Sequence, residues 1–443
     1  MDCKLITPCG PVLGLEEDGI RIFRGVPYAE TKRFQKPVLI DHWEGLLDAT
    51  GQETDCFQYS AFRDEAAEPD NFYYQEFRGN YHTTFGESPQ RMNIVTPEAP
   101  SACPVLVFIH GGGHETGTIG EPPYGLCSEY ARRGILFVSV GYRLNVFSLY
   151  ECGNYGLHDQ IAAVKWLRKN IAAFGGDPDR ITLIGQSAGA MSITDLCYSQ
   201  ALKGDIQGAV LMSGGGAVPR FAGPFRKDQA APFWEKVRSR AGAKTEADMG
   251  SLPAQTIWEA WYRESRAQNN LHLLQPGIDG EIIPDVPQNV LRRGEDLDIP
   301  ILIGVTSQDY LPVLLYEMAL RWGLRNEKWG RSKVYGYFFD RTLPGNRYKA
   351  FHAADLWYVF GNMEASWRPF EPSDYRLSAQ MIDSICAFVK TGSPNGPGLP
   401  DWPPLGRRQK GFRLFDGQSS GLIFPRTCRK KVLHTMLKDP GPM

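Results

Sequence analysis

Residues 181–189 read ITLIGQSAG, and this stretch decides the fold class. Ile181–Ile184 is a short apolar run rich in β-branched residues, which predicts a buried strand. The segment Gly185-Gln-Ser187-Ala-Gly189 fits the G-x-S-x-G pattern, in which a serine occupies a sharp strand-to-helix turn at the edge of a sheet. A helix is expected to follow as far as Tyr198. The stretch therefore predicts a parallel sheet that presents Ser187 as a nucleophile.

The same pattern occurs a second time, at Gly417-Gln-Ser419-Ser-Gly421. This serine lies between two strand-like runs, Phe412–Phe415 and Leu422–Phe424, and is not followed by a helical pattern. Such a context predicts a hairpin tip and not a nucleophile. We therefore assign the nucleophile to Ser187.

Apolar strand-like runs also recur on both sides of this stretch. They alternate with helical patterns such as Asp159–Phe174, which predicts βαβ units and a mostly parallel, twisted sheet with helices on both faces. An Asp-Gly turn predicts a β-hairpin within residues 10–30. The other predicted strands are Val105–Ile109, Ile135–Val140, Ala209–Met212, Ile301–Val305 and Tyr335–Phe339.

Composition excludes several classes of function. The chain has 443 residues, with 48 Lys+Arg against 50 Asp+Glu and a net charge of −2, which argues against a nucleic-acid partner bound by bulk charge. Hydrophobic residues make up 42% of the chain, enough for a sizeable core. No apolar run approaches the ~18 residues that a membrane span requires.

The N-terminus and the cysteines bear on the compartment. MDCKLITPCG lacks the charged and apolar regions of a secretory signal, and nine cysteines show no spacing typical of zinc sites. We therefore expect reduced thiols and a cytoplasmic protein. The alternative is a secreted protein whose signal peptide has been removed.

A glycine-rich loop, His110-Gly-Gly-Gly113, follows the predicted strand Val105–Ile109. Backbone N–H groups of such a loop can stabilise the oxyanion of an acyl-transfer reaction, whereas a plain flexible loop is the simpler alternative. A phosphate-binding loop would continue with Gly-Lys-Ser/Thr, and this one does not. Because three glycines separate His110 from His114, a helical metal site is disfavoured, and no metal or cofactor is predicted.

Beyond single motifs, the chain resembles the type-B carboxylesterase (cholinesterase-like) family of α/β-hydrolases. The resemblance extends over the whole chain and is weakest in 50–100, 215–275 and 311–345. Its most specific block is residues 153–190. The matching segments are RIFRGVPYA, PVLVFIHGGG, VSVGYRL, GNYGLHDQIAAVKWLRKNIAAFGGDPDRITLIGQSAGA, PGIDGEIIPD, ILIGVTSQDY, AFHAADLWYVFG and FVKTGSPNGPGLPDWPP.

The resemblance implies the rest of the active site. Ser187 would act with His352 as base and Asp309 as acid, where the family has Glu, in the chain order Ser, acid, His that the fold requires. If Asp309 did not serve, the fallback acids would be Glu317, Asp340 and Asp355. The oxyanion would be bound by the N–H groups of three residues: Gly112, Gly113 and Ala188.

The chain departs from the family pattern at several places. The family usually has Glu where this chain has Gln186 and Ser where it has Gly215, which suggests a compensated loss of polar groups. The early disulfide of secreted members is expected to be absent, because Cys56 finds no partner in 86–93. Only 43 residues separate Asp309 from His352, so we expect a reduced cap and an open cleft that admits bulky ester groups.

These observations predict a single α/β-hydrolase catalytic domain over residues 1–443, with cap or pocket insertions at about 215–275 and 311–345. The expected reaction is hydrolysis of small carboxylic esters through an acyl-enzyme. Alternatives are amide, carbamate or thioester hydrolysis by the same triad, or a non-catalytic cholinesterase-like binding module. The sequence leaves open whether the protein is a monomer or a homodimer.

Overall fold

A large β-sheet organises the molecule. The computed structural model describes residues 1–51, 54–58, 72–78, 81, 83–216, 225–268, 274–345, 348–418, 421–424 and 426–427. Within these ranges, thirteen strands form one sheet. They are β1 (Asp2–Thr7), β2 (Gly10–Glu17), β3 (Ile20–Pro27), β6 (Leu47–Asp48), β9 (Arg91–Pro97), β10 (Cys103–Ile109), β11 (Leu136–Val140), β12 (Gly176–Gln186), β13 (Gly208–Met212), β14 (Ile301–Thr306), β15 (Val334–Phe339), β16 (Phe412–Phe415) and β17 (Leu422–Ile423).

Two short strand pairs lie outside this sheet, β4 (Ala29–Glu30) with β5 (Val38–Leu39), and β7 (Thr54–Cys56) with β8 (Thr84–Gly86). The main sheet runs in the order β1-β2-β3-β9-β11-β10-β12-β13-β14-β15-β16-β17, with β6 beside β2. Neighbours from β11 to β16 are parallel, whereas β1, β2, β3 and β9 pair antiparallel. The predicted mostly parallel sheet is confirmed. The β2–β3 pair also forms the predicted N-terminal hairpin.

Helices cover both faces of the sheet. In the described part of the chain they are α1 (Phe72–Phe77), α2 (Ser128–Ala131), α3 (Asn145–Leu149), α4 (Tyr155–Asn170), α5 (Ala188–Tyr198), α6 (Lys227–Ala241), α7 (Glu246–Ser251), α8 (Ala254–Gln268), α9 (Pro287–Arg293), α10 (Pro312–Trp329), α11 (Leu356–Phe360) and α12 (Pro372–Thr391). Apolar side chains of α4, α5 and α10 pack against one face, and those of α2, α11 and α12 pack against the other.

Strand β10 shows why the central strands read as continuous apolar runs. Val105, Val107 and Ile109 belong to the core on one face of the sheet, while Leu106 and Phe108 belong to the core on the other. Successive side chains of a strand point to opposite faces, so a strand with helices on both sides must be apolar at every position.

The two predicted insertions have different places in the fold. The described part of 215–275 contains α6, α7 and α8, and α6 packs against α8. The segment 311–345, in contrast, contains α10, which packs on β14 and β15, and β15 itself, an interior strand of the sheet. This second segment therefore belongs to the sheet and its helical layer and not to a cap.

The cysteines that the structure describes are all free thiols, and the Leu144 N–H donates a hydrogen bond to Cys56 Sγ at 3.2 Å. Cys428 lies outside the described residues. Among the described helices, none combines the length and apolar character needed to cross a bilayer. The cytoplasmic location stays a prediction.

Gly304 allows the interior strands β14 and β15 to pack side by side in the sheet. A methyl group added at Gly304 would lie 1.8 Å from Cζ of Tyr337, its cross-strand partner. We expect Gly304→Ala to lower the free energy of unfolding by about 1–3 kcal/mol or more, because the buried ring has to move. Chemical denaturation measures the loss. Gly250→Ala in α7, with nothing within 4 Å of the added methyl, is the matched control and should not destabilise.

Candidate active site

Ser187 occupies the turn between β12 and α5. Its backbone has a positive φ, at φ 54° and ψ −122°, a combination outside the common regions for a non-glycine residue. The Ser187 N–H donates to Met212 O at 2.8 Å, which ties the turn to β13. Side chains at positive φ cost free energy, so the surrounding contacts must enforce this conformation.

The two glycines of the motif let α5 approach the sheet closely. A methyl group at Gly189 would lie 2.0 Å from the carbonyl oxygen of Ile109 in β10, and one at Gly185 would lie 2.7 Å from the carbonyl carbon of Gly189. Neither position accepts a larger residue without moving backbone. The G-x-S-x-G pattern is therefore a packing requirement as well as a chemical signature. Ser419 of the second pattern lies outside the described residues; in the sequence it falls between β16 and β17, which pair antiparallel.

His352 and Asp309 form a buried pair. Nδ1 of His352 lies 2.8 Å from Oδ1 of Asp309, and both side chains are at most one-tenth exposed. The Tyr310 N–H donates to the same carboxylate at 2.9 Å, and the Thr306 hydroxyl donates to its other oxygen at 3.1 Å. Burial favours the neutral acid, but the neighbouring His352 imidazole, together with the hydrogen bond from the Tyr310 N–H, prevails and lowers the pKa of Asp309. The carboxylate is therefore ionised at neutral pH, where it accepts from Nδ1–H.

Asp355, one of the fallback acids, makes a different contact. It is fully buried, and its Oδ2 accepts a hydrogen bond from the Tyr337 hydroxyl at 2.6 Å. Burial raises the pKa of Asp355 to about 6, with a contribution from the nearby Asp309 charge. The imidazole is thus bonded to Asp309 and not to Asp355, although both acids lie in the same neighbourhood.

Ser187 and His352 line one cavity of about 360 Å³ together with the loop Gly111–Gly113. Gly112 and Gly113 have φ values of 103° and 67°, which favour glycine. The Glu115 and Thr116 N–H groups both donate to Gly112 O at 3.0 Å and hold the loop in a tight turn. Ala188 directly follows the serine as the first residue of α5. Four of the six residues predicted for the site thus line one cavity, while Asp309 contacts one of them, His352, and Ala188 follows another, Ser187.

The two histidines of the glycine loop make separate contacts. His110 stacks on Tyr142 with ring centroids 4.5 Å apart, and burial lowers its pKa to about 4. His114 Nε2 lies 3.1 Å from Ser192 Oγ. Neither contact involves Ser187 or its neighbours, so both rings support the loop from within the core.

Sequence reasoning missed one wall of the cavity. The residues of this wall are Tyr73, Phe77, Arg78, Glu121, Tyr124 and Tyr310. Tyr73 and Phe77 lie on α1, within residues 50–100, where the family resemblance is weak, although the aromatic density of NFYYQEF (residues 71–77) was a usable signal. Arg78 and Glu121 form an ion pair at 3.4 Å in this wall. The Tyr310 ring packs on His352 with centroids 4.5 Å apart.

Two neighbouring positions carry the departures from the family pattern. The Gln186 side chain contacts His352, with 3.2 Å between the two Nε2 atoms. Gly215 has φ 75°, and a methyl group there would lie 2.0 Å from Thr194 Oγ1, so the site has no room for a serine side chain in this backbone conformation.

A large parallel sheet with a serine elbow, a buried His–Asp pair and a glycine loop in one cavity defines an α/β-hydrolase. The model of the carboxylesterase family matches residues 2–321 and 314–422, and the chain belongs to this family. It is therefore an enzyme of the carboxylester hydrolase class.

Its relatives are esterases. The chain is 28% identical to para-nitrobenzyl esterase of Bacillus subtilis (strain 168), over 93% of this chain and 94% of the relative. It is 26% identical to pyrethroid hydrolase Ces2a of Mus musculus, over 90% and 84%. A solved para-nitrobenzyl esterase superposes with a TM-score of 0.79 at 26% identity, covering 97% of this chain and 99% of that one. A carboxylesterase of Geobacillus stearothermophilus gives 0.80 at the same identity and coverages.

The raised pKa of Asp355 predicts that ionising this side chain lowers the free energy of unfolding as pH rises. Its folded-state pKa lies above the unfolded value of 3.8, so its contribution favours folding below pH 4 and is lost as pH rises to about 6. We expect Asp355→Asn to gain stability relative to the parent protein between pH 4 and pH 7, on the order of 2–3 kcal/mol. Urea unfolding at both pH values measures the difference. A stability difference independent of pH would contradict this reading.

Proposed function

We propose that this protein hydrolyses small carboxylic esters through an acyl-enzyme, with Ser187 as nucleophile, His352 as general base and acid, and Asp309 as the orienting carboxylate. The observation that carries the proposal is the 2.8 Å contact between His352 Nδ1 and Asp309 Oδ1, beside Ser187 in one cavity. This contact holds the neutral imidazole in the tautomer with its proton on Nδ1. Nε2 is then the basic nitrogen on the side of the cavity.

The roles follow from this arrangement. His352 accepts the proton of Ser187 Oγ as the oxygen attacks the ester carbonyl, and Asp309 stabilises the imidazolium that forms. The N–H groups of Gly112, Gly113 and Ala188 stabilise the oxyanion, each contributing about 3 kcal/mol. His352 then protonates the leaving alkoxide, and water releases the acid by the same steps. No cofactor is required.

The shape of the cavity supports a small ester substrate. The glycine loop, Ser187 and His352 line the cavity together with aromatic side chains such as Tyr73, Phe77 and Tyr310. Apolar walls with a few fixed polar groups are typical of small-molecule sites. We propose that the whole chain acts as one catalytic unit.

The nucleophile is tested by covalent labelling. A fluorophosphonate should label the native protein and leave Ser187→Ala unlabelled, because the reagent reacts only with an activated serine. Hydrolysis of aryl and alkyl esters should disappear in the same variant. Labelling that persists in Ser187→Ala would place the nucleophile elsewhere, and a native protein that neither reacts nor hydrolyses esters would favour a non-catalytic module.

The choice of acid is tested by a matched pair of variants. Asp309→Asn should reduce kcat by about three to four orders of magnitude, because the amide no longer holds the catalytic tautomer. Asp355→Asn should reduce kcat less than tenfold, since Asp355 bonds Tyr337 and not His352. Steady-state kinetics at the pH optimum distinguish the two. The reverse ranking would assign the orienting role to Asp355.

A further inference from the structure

Both ring nitrogens of His352 have side-chain partners in the resting enzyme. Nδ1 bonds Asp309, and Nε2 lies 3.2 Å from Nε2 of Gln186, the last residue of β12. Among the described residues, the hydrogen bond at Nε2 therefore comes from Gln186 and not from Ser187. A residue one position before the nucleophile thus contacts the very nitrogen that must accept the serine proton.

The direction of the hydrogen bond between Gln186 and His352 follows from which groups carry protons. Asp309 is ionised and accepts from Nδ1–H, so Nε2 of the neutral ring is an acceptor. The NH₂ group of Gln186 donates to it. Because an amide has no net charge, it satisfies Nε2 without the Coulombic attraction that would favour protonation of the ring. The neutral form is the one that acts as a base.

The Gln186 side chain has a defined position. A methyl group at Gly111 would lie 2.7 Å from Gln186 Oε1 and 2.9 Å from its carbonyl oxygen. The amide is therefore enclosed between the glycine loop and the imidazole, with its oxygen towards the loop and its nitrogen towards His352. The Gln186 side chain therefore contacts both the base, His352, and the glycine loop, and its position is fixed by the two.

His352 already has two acidic residues near it, so the absence of a charge on the Gln186 side chain affects the protonation of the ring. Asp309 bonds the ring directly, and Asp355 lies close enough to interact with both. Tyr310 covers one face of the ring. The Arg78–Glu121 ion pair lines the same cavity. A carboxylate at position 186 would be the third acid around one imidazole and would draw a proton onto Nε2.

We infer that Gln186 is a positioning residue that holds His352 as a neutral base and thereby extends esterase activity to lower pH than a carboxylate at this position would allow. The inference rests on the proposed roles of Ser187 and His352. The Gln at position 186, where the family usually has Glu, would then set the lower pH limit of the reaction.

The pH dependence of kcat/KM tests the inference. In Gln186→Glu the acid limb should move to higher pH by about one unit, because the carboxylate stabilises the imidazolium. In Gln186→Met it should move the same way by less, since the donor to Nε2 is lost but no charge is added. Gln255→Glu, on the exposed surface of α8, has the same charge change and should leave the profile in place.

A second measurement does not depend on activity. In a Ser187→Ala background, the NMR titration of the His352 ring should shift its midpoint upward in Gln186→Glu by a similar amount. If the profiles and titrations of the Gln186→Glu variant coincide with those of its parent, and both proteins are folded by circular dichroism, the role of Gln186 is overturned. Failure of Ser187 labelling would instead overturn the proposed function, so the two failures are distinguishable.

Discussion

The conformation of Ser187 is the constraint on which the rest of the site depends. A serine at φ 54° between a buried strand and a helix is strained by about 1–3 kcal/mol and is maintained only by its surroundings. Close packing of Gly189 against β10 and the hydrogen bond to Met212 supply that enforcement. Both contacts come from neighbouring strands of the sheet, so the nucleophile is positioned only when the sheet is complete.

The sheet also explains why residues far apart in sequence meet. β12 and β14 are both parallel members of it, so their carboxyl ends, at Gln186 and Thr306, lie at the same edge. Asp309 follows β14 by a few residues. His352 lies in the segment that follows β15. An isolated β-bridge between Phe351 of that segment and Gln308, which follows β14, brings the segment to the same edge. The separation of 43 residues between acid and base is spanned by one helix and one strand.

Some features of the fold and of the site could be predicted from local sequence patterns, and others could not. Ser187 and the central strands were predictable because local patterns, an apolar run and a glycine-flanked turn, encode them. The pairing of His352 with Asp309 was implied only by family resemblance. The segment 311–345 was expected to hold a cap or pocket insertion besides its predicted strand Tyr335–Phe339, and the structure has a helix and a strand of the sheet there. Helix α1 was missed because its six residues are too short for a helical period to be recognised.

The sequence by itself determined the class of protein, since the elbow, the glycine loop and the alternating strands each follow from local residue patterns. Only the tertiary structure decided which acid bonds the imidazole, that Tyr73 and Phe77 wall the cavity, and that Gln186 donates to His352 Nε2. These are contacts between distant segments, whose geometry depends on how helices and strands pack and leaves no local periodic signal. Local residue patterns identified the nucleophile and the glycine loop, whereas the packing of distant segments determined which side chains contact them.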